Sequence, residues 1–405
     1  MRMLGLIPLG LMAAGLAVQA AGTQDPFADV TAQPRDIGTA KDDSLISRMT
    51  RENFLMRYEV FSQFSVDREA ARTGDDWRSV YSRQSIGFEI QKKFSSDTKT
   101  WLGIDYQGRF ARRDNYHPVS SDLMGADHDG WAYETHNAYA DFYDLGGDGG
   151  RVNFRIGRYY VPFGINLYTD THGTLMQLSN ERNFGFERDW YAGFYGAIGE
   201  DFIYDAYYAL GSGADSSMKG QSGLLALRLG TGRRLLYEEG LEAGFSLLAG
   251  ERVSEHATML SPSVAAASRG DDIVRTWRIG PDMRKRFAMD SGTLTLTGEL
   301  SAGQDEDDTV LTGLAQVDWL SADRRWGLAA QYRHFWQDIG GDPMHAAHMP
   351  GDTDSSVILN ASWYFANDVG NANIHAITLG VEHQVERNRR DGDNTVFTLQ
   401  YYRYW

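Results

Sequence analysis

Cysteine is absent from the 405 residues, so neither disulfides nor thiolate metal sites can hold the chain together. Basic residues are in deficit. The 39 Lys and Arg stand against 55 Asp and Glu, a formal net charge of −16, and leave no surplus cation for nucleic-acid phosphates. Proline is sparse, at nine residues, and no Pro- or Ser-rich linker divides the chain into domains. After the first twenty residues no apolar run approaches the length of a membrane-spanning helix. Enzyme signatures are missing too: there is no G-x-S-x-G elbow, no H-E-x-x-H and no P-loop, so catalysis is not expected.

The chain opens with Met1-Arg2-Met3, an apolar stretch from Leu4 to Val18, and small residues at Val18-Gln19-Ala20. Residues 1–20 therefore read as a secretory signal peptide. Residues 21–53 lack periodicity and are expected to form a periplasmic N-terminal segment, either a tail or a strap reaching into the lumen. A mean hydropathy of −0.43 with 44 glycines and 12% aromatics is unusual for a soluble enzyme. It suits a barrel that hides polar side chains inside.

Period-two alternation repeats along residues 54–405 in segments of about ten, the length of a tilted strand crossing a bilayer. In 98–111, Leu102, Ile104, Tyr106 and Phe110 share one face, and Asp105, Gln107 and Arg109 the other. The same pattern sets Met56, Tyr58 and Phe64 against Arg57 and Glu59, and Ile86, Phe88 and Ile90 against Glu89. Leu294, Leu296 and Leu300 oppose Glu299, Val317 and Trp319 oppose Asp318, and Leu328 and Tyr332 oppose Arg333. With further segments at 131–143, 151–160, 190–199, 201–210, 222–229, 240–250, 272–280, 355–365, 374–384 and 393–405, about sixteen strands result. The fold class is all-β, a transmembrane antiparallel β-barrel with short periplasmic turns and long outer loops. Even connections such as 95–97, 199–200 and 321–324 are short, whereas 112–130, 161–189, 252–271 and 337–354 are long. Trp101, Trp131, Trp190, Trp326 and Trp363 near strand ends fit interfacial girdles.

Gly157-Arg158-Tyr159-Tyr160-Val161-Pro162-Phe163-Gly164 makes a G-R-x-x-x-P-F-G pattern, followed by Glu187-Arg188-Asp189-Trp190 and by Tyr208 to Gly213. Over about residues 150–215 this resembles the strand-to-constriction segment of the phosphate-selective porin (O and P porin) family. The final Tyr401-Tyr402-Arg403-Tyr404-Trp405 resembles the terminal strand of bacterial outer-membrane proteins. What the resemblance implies is a sixteen-strand channel, often a homotrimer, whose loop 161–189 folds inward. Candidate constriction residues on that loop are Asp170, Glu181, Arg182, Glu187 and Arg188. The solute stays open, because acids and bases are mixed on it.

Alternation assigns Arg57, Glu59, Glu89, Asp105, Arg109, Arg155, Glu299, Asp318 and Arg333 to the lumen, either as a transverse field acting on solutes or as braces of the wall. Acidic residues outnumber basic ones, which favours a weak cation preference. No cofactor and no metal site is expected; His117, His128, His345 and His348 among loop aspartates match no established spacing. His334 and His375 face outward without an evident serine partner.

The leading expectation is a passive, water-filled channel of the bacterial outer membrane for small hydrophilic solutes or ions, in contact with lipid and lipopolysaccharide. The alternative is a barrel sheath around a partner electron-transfer protein, whose haem would have to be the partner's.

Overall fold

In the computed structural model, residues 53–405 are described except 70–76, 97–98, 115–127, 148, 166–172, 178, 200, 214–221, 232–238, 254–272, 338–352, 369–372 and 386–393. The expectations for residues 1–20 and 21–52, and for Asp170, His117, His345 and His348, lie outside them.

Sixteen strands close into one antiparallel barrel, each paired to its sequence neighbours and the last to the first. They are β1 (Phe54–Glu69), β2 (Trp77–Ser95), β3 (Thr100–Asp114), β4 (His128–Phe142) and β5 (Asn153–Tyr160). Next come β6 (Arg188–Ile198), β7 (Phe202–Ala209), β8 (Gly223–Thr231), β9 (Gly240–Val253), β10 (Ile273–Met289) and β11 (Gly292–Asp305). The circuit ends with β12 (Asp308–Ser321), β13 (Trp326–Gln337), β14 (Thr353–Asp368), β15 (Asn373–Val385) and β16 (Asn394–Tyr404). A short helix, α1 (Asn180–Phe184), lies between β5 and β6.

The pleat sends successive side chains to opposite faces, so each strand sorts its residues by polarity. Ile86, Leu300 and Leu379 stand on the outer wall at 57%, 57% and 60% exposure, while Arg109, Arg278 and Gln331 on the inner wall are at most 2% exposed. An apolar exterior with a polar interior is stable when hydrocarbon is the solvent outside and water or paired charge fills the inside. Trp101, Trp131 and Trp326 are exposed on that exterior, and the Trp326 and Trp363 rings meet edge to face at 4.4 Å.

Several strands are longer than their alternation announced, β2 and β10 most of all. The expected 86–94 is the last part of β2, and 272–280 is only the first half of β10. The second half carries Pro281 and four charges, yet Asp282, Arg284 and Arg286 point inward and are buried, which keeps the lipid face apolar there except for Lys285. Lys285 Nζ lies 5.3 Å from the Phe287 ring centroid, close to the strand's end.

Both described ends of the chain sit at one rim: Tyr58 N donates to Trp405 O at 2.8 Å, and Trp405 N to Tyr58 O at 3.1 Å. This rim holds the even connections and is called the turn end; the opposite rim is the loop end. A representative turn joins β12 to β13. Ser321 Oγ and Arg325 N donate to Asp323 Oδ1 at 2.6 and 3.1 Å, and these donors hold the Asp323 carboxyl below its ordinary pKa. One loop-end connection departs from the long-loop expectation: β11 and β12 are joined by Glu306 and Asp307 alone, with Glu306 at φ 50°.

Candidate functional site

The inner wall is laced by ion pairs, some between adjacent strands and others reaching across one intervening strand. Arg57 lies 3.7 Å from Glu89, Arg109 3.4 Å from Glu59, and Arg333 3.7 Å from Glu382. Arg155 donates Nε and Nη2 to the two oxygens of Asp141 at 2.7 and 2.8 Å, a bidentate pair enclosed by the rings of Tyr139, Tyr159 and Tyr195. Arg228 grips Asp282 in the same way at 3.0 and 2.6 Å. Asp305 is shared by Arg252 and Arg278, and Glu242 by Arg284 and Arg286. Asp105 accepts from Gln91 at 2.8 Å, and Asp318 takes both its bonds from Gln316 at 2.9 Å. Every lumen residue named from alternation is thus on the inner wall, and most are tied to a partner that alternation alone does not reveal.

The segment between β5 and β6 leaves the wall and spans the interior. Its start follows from its residues. The last β4–β5 pair is Ala138 with Arg158, so the loop-end half of β4 pairs with β3 alone. Arg158 donates to the carbonyl oxygens of Thr135 and His136, the latter at 3.0 Å, and so covers that open edge. Gly157 sits at φ 132°, and a Cβ there would collide with the β4 backbone. Past Tyr160, Gly164 at φ 70° turns the chain inward against Glu299, whose carboxylate would lie 2.7 Å from any Cβ. The G-R-x-x-x-P-F-G pattern is therefore a strand end, an edge cover and an inward turn.

Across the lumen the segment is fastened on several strands. Gly164 N donates to Ser246 Oγ at 3.0 Å, Ile165 N to Glu299 Oε1 at 2.7 Å, and Ser179 Oγ to Glu299 Oε2. Asn183 Nδ2 donates to Ser301 Oγ at 2.8 Å, while Arg278 donates back to Asn183 Oδ1 at 2.8 Å. Gln177 and Gln331 exchange bonds at 3.2 and 2.9 Å. On the near side Val161, Phe163, Phe184 and Phe186 pack on inward-facing Tyr191, Tyr207, Leu224 and Leu248. This apolar lumen patch escapes the rule that polar residues face inward; Tyr191, Tyr207 and Leu224 alternating in β6 to β8 are the signal that it was there to find.

Of the candidate constriction residues, Glu181 and Arg182 lie on α1, where only the backbone is described. Glu187 and Arg188 pair with each other at 2.9 Å. Arg188 also bonds the Tyr160 hydroxyl and Asn137 Oδ1, the latter at 3.2 Å, at the seam beside β4. The structure thus brings Glu187 and Arg188 together at the rim of the segment.

On the outer wall His334 does have a serine neighbour, contrary to the reading of the sequence: its Nδ1 is 2.7 Å from Ser355 Oγ across the β13–β14 register. Among the described residues no carboxylate or amide is bonded to its other nitrogen. Among the described residues there is likewise no cluster of three metal-ligating side chains.

No protein-family model matches the chain, and no curated protein matches it in sequence. Solved structures do match. OprB of Pseudomonas putida aligns with a TM-score of 0.60 at 9% identity, covering 89% of this chain and 96% of that one. The outer-membrane channel DcaP of Acinetobacter baumannii gives 0.53 at 12%, over 86% and 96% of the two chains. An anion-selective porin from Comamonas acidovorans gives 0.51 at 10%, over 87% and 97%. At such identities the likeness is one of fold. Together with the apolar exterior, it gives this chain the architecture of bacterial outer-membrane porins, a multi-pass β-barrel.

Proposed function

We propose that the protein is a passive channel for small hydrophilic solutes or ions, with passage narrowed by the segment between β5 and β6. The observation that carries this reading is the set of bonds by which that segment, rooted on one wall, reaches Ser246, Glu299, Ser301 and Gln331 on the others. A barrel of sixteen strands leaves an aqueous interior unless something fills it. Below the segment a cavity of about 210 Å³ opens to solvent at the turn end. A sheath around a partner protein would need a clear bore, which this segment occupies.

Most of the wall charges named above are mutually paired, so ion selectivity is expected to be weak, with a cation preference from the excess of carboxylates. Phosphate specificity would call for a run of cations not already engaged by carboxylates; the inner-wall arginines named above, Arg155, Arg228 and Arg278 among them, are engaged.

Purified full-length protein in planar bilayers tests this. Stepwise ohmic conductance is expected, with a reversal potential slightly toward the cation. Combined Ser179→Ala and Asn183→Ala removes two anchors and should raise single-channel conductance. A bilayer that stays silent, or strong anion selectivity, would refute the reading.

A further inference from the structure

Resting on the channel reading, we infer that the turn-end recess of the lumen is a binding site for a neutral polyhydroxylated solute, a sugar or polyol. The recess is hollowed where β13 places only Gly327 and Ala329 on the inner wall. Ala329 stands directly between Asp318 of β12 and Asn360 of β14 in the strand register. Those two side chains are rooted two strand spacings apart, about 10 Å, with a methyl group as the floor between them. Thr295 and Thr297 continue the lining on the β11 side, and Gln177 of the crossing segment roofs it.

The chemistry of the lining selects among solutes. Arg284 and Arg286 converge on the Glu242 carboxylate at 3.3 and 3.2 Å, so the cations nearest the recess are held by an anion of the wall. An anionic solute would have to compete with that carboxylate. Asp318 is close to the same arginines in the register and is held by Gln316, so a bare cation finds no acidic cluster. An apolar solute would leave hydroxyls and amides dry. What remains is neutral hydrogen-bonding capacity: Thr295, Thr297 and Asn360 have no side-chain partner among the described residues, and Asp318 retains acceptor lone pairs. Hydroxyl, amide and carboxylate groups around a small-residue floor match a molecule whose surface is mostly vicinal hydroxyls, each of which both donates and accepts.

The test reconstitutes the full-length protein in a planar bilayer at constant KCl and adds sucrose, sorbitol or inorganic phosphate on the turn side, with an excluded dextran as viscosity control. Sucrose should lower conductance saturably, beyond the dextran effect. Thr295→Val with Asn360→Leu should raise the half-blocking concentration about tenfold, the loss expected for two hydrogen bonds, without altering the KCl conductance of the open channel. Ala329→Leu fills the floor and should abolish the saturable component. Calorimetric titration of sucrose into the detergent-solubilised protein reads binding independently of conduction. Conductance that falls only with viscosity, an absence of binding heat, or a block by phosphate that ignores these substitutions overturns the site. Binding heat without any conductance would instead overturn the channel reading and leave the recess standing.

Discussion

At the scale of single residues, the same side chain is right or wrong according to which solvent its face meets. Leu379 lies mid-strand in β15 at 60% exposure, where it touches hydrocarbon. Leu379→Arg is expected to destabilise the barrel by about 2–4 kcal/mol, read from denaturant unfolding in lipid vesicles. The adjacent inner position obeys the reverse logic. Thr378, inward and 3% exposed, bonds Ser362 at 2.8 Å, and Thr378→Val should leave that serine short of one partner at a cost of about 1 kcal/mol. Gly164 is a third kind of position, fixed by backbone geometry and by Glu299 at once. Gly164→Ala should loosen the crossing segment, and higher conductance with an unchanged melting point of the barrel would show it. A conductance equal to wild type would mean that the turn tolerates a methyl group.

At the scale of elements, strand existence and facing direction were legible because the bilayer enforces period two on every strand, as in β3 and β11. Strand length was less legible where that enforcement stops. The second half of β10 was not read as strand because Pro281 and the charges Asp282, Arg284, Lys285 and Arg286 interrupt the apolar alternation, but three of those four charges are lumen residues of a strand. The crossing segment was legible only in part. Its glycines and Arg158 stood out, whereas its landing points on Ser246, Ser301 and Gln331 are distant in sequence and chemically ordinary. Arg158 gives the element-scale prediction. Because it caps two β4 carbonyls where no strand follows, Arg158→Ala should cost about 1–3 kcal/mol and expose the amides of 128–137 to hydrogen exchange, leaving β11–β12 protected. Unchanged exchange in β4 would show that its edge is covered by something else.

At the scale of the molecule, the wall is not of even height. With a rise of about 3.3 Å per residue and a tilt near 40°, the 19 residues of β2 reach about 48 Å along the barrel axis and the 8 residues of β5 about 20 Å. An apolar band about 25 Å tall is overtopped by β1 and β2 and not fully spanned by β5 and β7. The rim at β1–β2 must therefore project well beyond the membrane at the loop end, and the register continues through Arg68 with Trp77 to support it. An epitope inserted at 70–76 should be read by antibody on intact cells and should leave conductance unchanged, since the hairpin below it is already outside the hydrocarbon. The same epitope at 322–325 should be read only after the membrane is permeabilised, because that turn lies at the opposite rim with both described chain ends. Surface labelling at 322–325 on intact cells would invert the barrel and move the polyol recess from the inner to the outer mouth of the channel.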